Sequence, residues 1–88
     1  MTNTSTYTKK GKQLYFEGKF LEAIKNFNKA IELDPQYSDS WSYRGLCYYE
    51  LDENEEAIDN FDRALDLNPN DARSFDYRSK ALVKDKEN

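Results

Sequence analysis

Apolar side chains recur at steps of three and four residues in two segments of this chain, residues 20–33 and residues 54–67. This spacing places them on one face of an α-helix. The apolar positions are Phe20, Ala23, Ile24, Phe27, Ala30 and Ile31 in the first segment and Ala57, Ile58, Phe61, Ala64 and Leu65 in the second. Pro35 and Pro69 follow the two segments, and a proline there cannot continue a helix. The pattern predicts two amphipathic helices that each bury one face.

The two segments are copies of one pattern, displaced by 34 residues. Residues 22–35 fall on residues 56–69, and the aligned pairs are identical or chemically similar at all but two positions. Periods of this length are typical of repeat proteins, whose units stack because no single unit can bury its apolar face alone. We predict a single domain, residues 1–88, that consists of repeat one at 4–37, repeat two at 38–71 and a partial third repeat or capping helix at 72–88.

Each repeat is expected to contain two helices separated by a polar break. The breaks are Glu17-Gly18-Lys19 and Asp52-Glu53-Asn54. Asn54 is a residue type that caps helix N-termini, and Asp71 stands in the same relation to the last helix. The predicted fold class is all-α, with about five helices near residues 4–17, 20–33, 38–51, 54–67 and 72–85.

Two glycines stand in the middle of predicted helices, Gly11 and Gly45, again 34 residues apart. A glycine inside a helix costs roughly 0.5–1 kcal/mol relative to alanine. Its recurrence at one register predicts the close approach of a neighbouring helix. Phe27 and Phe61 are expected to fill the space between the helices.

The residues resemble the tetratricopeptide repeat. The second unit carries the pattern as Trp41, Arg44-Gly45, Tyr48, Ala57, Phe61, Ala64 and Pro69, and the first unit carries Tyr7, Gly11, Leu14, Ala23, Phe27, Ala30 and Pro35. The resemblance implies antiparallel helix pairs that stack into a right-handed α–α superhelix. It also implies a non-catalytic protein-interaction module, an adaptor that holds a peptide in a concave groove lined by the first helix of each pair.

Groove positions follow from the same resemblance. The residues it implies for the peptide-binding groove are Thr8, Lys9, Lys12, Ser42, Tyr43, Leu46, Tyr49, Arg73, Tyr77 and Lys80, and Ser5, Phe16, Asp39, Glu50, Asp76 and Lys84 lie on the same face. This face carries five basic and three acidic residues on a chain of net charge −4. We therefore expect an acidic peptide or a C-terminal carboxylate as the partner, with tyrosines packing its apolar side chains. The alternative is that the lysines are solvated helix surface and the tyrosines complete the packing between repeats.

Some members of the resembled family grip the acidic tails of heat-shock chaperones with a set of lysine, asparagine and arginine side chains. The corresponding positions here hold Thr8, Lys12, Tyr43, Arg73 and Tyr77. Only Arg73 keeps the expected chemistry at its place. We therefore do not expect this chain to bind chaperone tails.

Composition narrows the function further. The chain has no histidine, and no serine or cysteine is paired with a base in sequence, so we expect neither an enzyme nor a cofactor. Its net negative charge is unfavourable for binding nucleic acid. No apolar run is long enough to span a membrane. The single cysteine, Cys47, is expected to be a packed, inert thiol of a cytoplasmic protein. Acidic residues at 52–56 lack the glycine turn and spacing of a calcium loop, so no metal site is predicted.

A structural role is the alternative to peptide binding. An apolar face at Asn54–Leu67, covered by one polar helix, would allow a homodimer or mark a fragment of a longer array. A designed repeat array is a third reading, which the divergence between the two repeats disfavours.

Overall fold

Five α-helices account for most of the chain in a computed structural model that describes residues 3–87. The helices are α1 (Thr4–Phe16), α2 (Phe20–Leu33), α3 (Ser38–Glu50), α4 (Asn54–Leu67) and α5 (Ala72–Glu87). The predicted all-α class is confirmed, and the helix ends agree with the sequence to within two residues. The ends of the expected domain, residues 1, 2 and 88, lie outside the described residues.

Helix starts use capping in some places and not in others. The side chain of Asp71 accepts hydrogen bonds from the backbone N–H of Ser74 at 3.1 Å and from its hydroxyl at 2.6 Å, which confirms the predicted cap. The expected cap at Asn54 is wrong, because α4 begins at this residue and Glu53 takes the cap position without a side-chain hydrogen bond. The Asn54 side chain is buried instead.

Successive helices pack against one another along the chain, and α3 also contacts the first helices of the neighbouring units, α1 and α5. Each short break reverses the chain, so that α1 with α2 and α3 with α4 form helix pairs. The result is a short α–α superhelix that measures 44 × 27 × 17 Å. Within the described part of the chain, no helix is both long and apolar enough to cross a membrane.

The two mid-helix glycines allow a close approach of the next helix. A Cβ atom placed on Gly11 would lie 2.6 Å from Cε1 of Phe27, and one placed on Gly45 would lie 2.7 Å from Cε1 of Phe61. Both phenylalanine side chains are fully buried. Each ring therefore lies directly on the backbone of the preceding helix, which confirms the close approach that the glycine register predicts.

The apolar face of α4 is covered. Ala57, Phe61 and Ala64 have no exposed surface. Both α3 and α5 pack against α4, so two helices cover this face and not one, while self-association of the chain stays a prediction. The large apolar side chains that remain most exposed lie elsewhere, at Phe16, Leu21, Leu33, Phe75 and Val83.

Cys47 is fully buried on α3. Burial, with a smaller contribution from the charge of Glu50, raises the pKa of its thiol from an ordinary 9.0 to about 12. The folded state therefore keeps the proton that the unfolded chain releases above pH 9. It follows that stability is lost as the pH rises from about 9 towards 12.

We expect the urea midpoint of the native chain to fall between pH 8.5 and pH 10.5, and the Cys47→Ala variant to show a smaller fall. A residual fall remains because burial raises the pKa of Tyr15 from 10.0 to about 12 as well. Circular dichroism during urea titration measures the midpoint of each protein at the two pH values. Identical falls for the two proteins would contradict the assignment to Cys47.

Candidate functional site

Two buried hydroxyl pairs join the first helices. The hydroxyls of Thr8 on α1 and Ser40 on α3 are 2.8 Å apart, and those of Ser42 on α3 and Ser74 on α5 are also 2.8 Å apart. The second pair is the first displaced by 34 residues, so one hydrogen bond is repeated at each junction of the stack. A buried hydroxyl needs such a partner, since leaving it unpaired costs about 1–3 kcal/mol.

These pairs correct the predicted groove. Thr8 and Ser42 are each only 2% exposed, and both hydroxyls point at the neighbouring helix. These two side chains therefore have little surface to offer a ligand, and their contact with one stays a prediction. The sequence signal for these contacts was the recurrence of a hydroxyl side chain after 34 residues, from Thr8 to Ser42 and from Ser40 to Ser74.

A pocket of about 170 Å³ opens where the three first helices meet. We call it the groove pocket, and its walls are Tyr15, Phe16, Tyr43, Leu46, Arg73 and Tyr77. Four of these residues, Tyr43, Leu46, Arg73 and Tyr77, belong to the predicted groove. The pocket has two walls from each of the three repeats, and the four predicted ones come from the second and third.

Tyr43 forms the floor of the groove pocket. Its ring is stacked with that of Phe27 at 6.3 Å between centroids and meets the edges of Tyr15 and Phe16 at 5.9 and 6.2 Å. Because Tyr43 is only 7% exposed, it belongs to the core and shows the pocket a small part of its surface. Leu46, at 2%, does the same.

Phe16 is the opposite case. Its side chain is 74% exposed at the end of α1, although it lies against Tyr43 and Tyr15. An exposed aromatic ring beside a pocket is a common feature of interaction surfaces. Sequence reasoning placed Phe16 on this face, but did not include it or Tyr15 among the binding residues.

Two cations flank Tyr43. The guanidinium of Arg73 lies 4.9 Å from the centroid of the Tyr43 ring and donates a hydrogen bond to the Tyr43 hydroxyl. The Nζ atom of Lys12 also lies 4.9 Å from that centroid and forms an ion pair of 3.1 Å with Asp39. Both side chains are held in place before any ligand arrives.

A second recess, of about 360 Å³, lies further along α5. Its walls are Tyr49, Asp76, Ser79, Lys80, Val83 and Lys84. The predicted groove residues Tyr49 and Lys80 therefore line this recess and not the groove pocket. The two places are joined through Tyr49 and Tyr77, whose rings meet edge to face at 5.3 Å.

Ion pairs inside the chain neutralise much of the basic charge on this face. Lys80 pairs with Asp76 at 3.2 Å, which raises the pKa of Lys80, and Lys84 pairs with Asp52 at 3.2 Å. With Lys12, three of the five basic residues have an acidic partner. Among residues 3–87, Lys9 and Arg73 lack a carboxylate within ion-pair distance, so the positive charge open to a ligand is centred on them.

No group of three or more metal-ligating side chains comes together within residues 3–87. The arrangement consists of aromatic surface, one guanidinium and a small apolar pocket. Groups of these kinds can bind a ligand through non-covalent contacts.

Two family models match parts of this chain. A family model described as "Tetratricopeptide repeat" matches residues 38–71, and a second, described as "TPR repeat", matches residues 11–52. An uncharacterized protein of Methanocaldococcus jannaschii is 45% identical over 40 residues, which make up 46% of this chain and 46% of that protein. The matched segment therefore spans less than half of the relative's length.

Solved structures have the same fold. The first TPR domain of the human RPAP3 protein superposes with a TM-score of 0.93 at 26% identity, over 97% of this chain and 67% of that one. The first TPR of Spaghetti (RPAP3), bound to the HSP90 peptide SRMEEVD, gives 0.90 at 27% identity, over 92% of this chain and 64% of that one.

Proposed function

This chain belongs to the tetratricopeptide repeat family, and from that premise we propose that it is a non-catalytic adaptor that holds a peptide of a partner protein against α1, α3 and α5. Protein interaction is the role of the structural relatives that are bound to peptides. The observation that carries the proposal for this chain is the groove pocket, to which all three repeats contribute walls.

The pocket selects the size of what enters it. A volume of about 170 Å³ accommodates one apolar side chain and not a helix. The exposed ring of Phe16 would close over such a side chain, because it already stands at the pocket's edge. Burial of apolar surface against these aromatic walls supplies most of the affinity.

Arg73 selects the charge of the peptide. It lines the pocket, and within the described chain its contacts are with Tyr43 and not with a carboxylate. A guanidinium binds a carboxylate through two parallel hydrogen bonds. We therefore propose a peptide with an apolar residue next to an acidic side chain or a C-terminal carboxylate.

A chaperone tail is not the peptide we propose, although a relative is bound to one. Lys12 is engaged with Asp39, and Thr8 and Tyr43 are buried, so the corresponding clamp positions offer little to a multiply charged tail. The reduced thiol of Cys47 fits a cytoplasmic adaptor, which is the location we propose.

The test is a peptide library with one apolar position beside one acidic position, screened by fluorescence anisotropy. Phe16→Ala and Arg73→Ala are each expected to weaken the best binder about tenfold, which corresponds to ~1.4 kcal/mol. Leu21→Ala is the matched control for Phe16, since Leu21 is 68% exposed on α2 and away from the pocket. Lys25→Ala, at an exposed position on α2, controls for the loss of one charge.

The absence of any binder, or equal losses in the Leu21 and Lys25 variants, would contradict the proposal. Both groove substitutions are at exposed positions, so the folded state should survive them. Circular dichroism verifies this before affinity is compared.

A further inference from the structure

The ion pair of Lys12 and Asp39 joins the first two repeats beside the groove pocket. Nζ of Lys12 on α1 lies 3.1 Å from Oδ2 of Asp39 on α3. The same Nζ lies 4.9 Å from the centroid of the Tyr43 ring, which is a wall of the pocket. A carboxylate of the chain itself therefore holds Lys12 next to the surface proposed to hold a peptide.

The 34-residue register shows why one cation of the groove is paired and the other is not. Lys12 and Leu46 are equivalent positions of α1 and α3, and Asp39 and Arg73 are equivalent positions of α3 and α5. Leu46 carries no charge, so Arg73 has no ionic partner at the place where Asp39 has Lys12. Arg73 donates a hydrogen bond to the Tyr43 hydroxyl instead. An ion pair thus closes the first junction, and the second leaves a guanidinium open to a ligand.

The two cations lie close enough together for one peptide to contact both. The guanidinium carbon of Arg73 and Nζ of Lys12 each lie 4.9 Å from the Tyr43 centroid, so they are at most twice that distance apart. Alternate side chains of an extended peptide are separated by roughly 7 Å. Without Asp39, a peptide with two carboxylates would therefore be able to pair with both cations.

The charge of Asp39 opposes a second carboxylate in two ways. A ligand carboxylate has to displace Asp39 from Lys12, and an intramolecular partner has the advantage of a high effective concentration. The displaced Asp39 would then remain unpaired near the ligand carboxylate, and like charges at short distance repel each other. A contact that rejects one class of ligand in this way contributes to specificity.

Both members of the pair are accessible to a ligand. The side chain of Lys12 is 33% exposed and that of Asp39 is 46% exposed. A peptide that lies along the groove would therefore meet the pair directly. Because partly exposed ion pairs contribute little to stability, the pair can be removed by substitution while the fold is kept.

We infer that Asp39 determines the charge selectivity of the groove, by limiting it to peptides with one carboxylate. Asp39 holds Lys12 and leaves Arg73 as the cation for the ligand. This inference rests on the proposed peptide-binding function and names a residue that sets its specificity. When Asp39 loses its charge, Lys12 keeps its contact with the Tyr43 ring and forms a site for two carboxylates together with Arg73.

The probes are two series of peptides with amidated C-termini. The first series has one leucine and one glutamate among glycine and serine residues, and the second series adds a second glutamate two residues from the first. Fluorescence anisotropy measures their affinity for the native chain and for Asp39→Asn, which removes the charge and keeps the shape of the side chain. We expect the native chain to bind the second series no more tightly than the first, and Asp39→Asn to prefer the second about tenfold.

Two further variants isolate the cause of this preference. Asp39→Asn combined with Lys12→Gln should lose it, because the second carboxylate then has no cation to pair with. Asp59→Asn, at an exposed position of α4, makes the same change in net charge and should retain the selectivity of the native chain. Circular dichroism verifies that each variant is folded.

The outcomes separate this inference from the proposed function. If the native chain binds the first series and Asp39→Asn gains no preference for the second, the inference is overturned and peptide binding stands. If only Asp39→Asn binds, and binds the second series, the proposed function fails while the effect of Asp39 is supported. Binding by neither protein overturns both. A preference for two carboxylates in the native chain, or one that survives Lys12→Gln, also overturns the inference.

Discussion

Phe61→Ala is expected to lower the free energy of unfolding by about 3–5 kcal/mol. The Phe61 ring is fully buried, lies on the backbone of Gly45 and has the Tyr77 ring at 6.4 Å. Removing it leaves a cavity between α3, α4 and α5 that no neighbouring side chain can fill. Since small domains are stable by only about 5–15 kcal/mol, this loss is a large part of the stability expected of such a chain.

Urea denaturation followed by circular dichroism measures the effect. Phe75→Ala is the matched control, because Phe75 is 66% exposed and its truncation is expected to change stability by no more than about 0.5 kcal/mol. Phe27→Ala should resemble Phe61→Ala, since it occupies the same register on Gly11. A loss below ~1 kcal/mol at Phe61 would show that its ring does not hold α3, α4 and α5 together.

Gly45→Ala is expected to destabilise the chain, although alanine is the better helix former. Helix propensity favours the change by roughly 0.5–1 kcal/mol. Against it, the new Cβ would lie 2.7 and 2.9 Å from two atoms of the Phe61 ring and 3.2 Å from Cβ of Asn60, and such overpacking costs about 1–3 kcal/mol. The ring cannot retreat because it is enclosed on all sides, so the steric cost should exceed the gain in propensity.

A double-mutant cycle tests this cause directly. Phe61→Leu removes the ring atoms that the new methyl group would meet, so Gly45→Ala should be neutral or stabilising in the Phe61→Leu background. Gly18→Ala serves as the comparison, because Gly18 has φ +79° and nothing within 4 Å of an added Cβ. Its cost comes from backbone strain and should be the same in both backgrounds. Purely additive effects at Gly45 and Phe61 would contradict the contact.

The helices of this protein were predictable because their causes are local. The three- and four-residue spacing of apolar side chains, the proline after each repeat and the glycine at one register are all visible in the chain. Each concerns residues that lie within one helix or one helix pair. For the same reason the packing of Phe27 on Gly11 and of Phe61 on Gly45 followed from the 34-residue period.

The candidate site was predicted less completely, because it depends on how each first helix is rotated about its own axis. Thr8 and Ser42 lie on the expected side of their helices but turn towards the neighbouring helix, where Ser40 and Ser74 receive them. Tyr49 and Lys80 share a recess apart from the groove pocket. Helix periodicity defines a face only to within a broad angle. A residue within that angle can face either the neighbouring helix or the groove.

The charges of the candidate site were also predicted only in part. Counting residues on the expected face indicated a basic groove, yet Lys12, Lys80 and Lys84 each find a carboxylate within the chain, on residues four to thirty-two positions away. Composition records how many charges a chain has, and local spacing records which helix carries them. Lys80 pairs with a residue of its own helix, but the carboxylates that pair with Lys12 and Lys84 come from other segments, so the tertiary structure decides which charges are left for a partner. An ion pair depends on distance in space and not on distance along the chain.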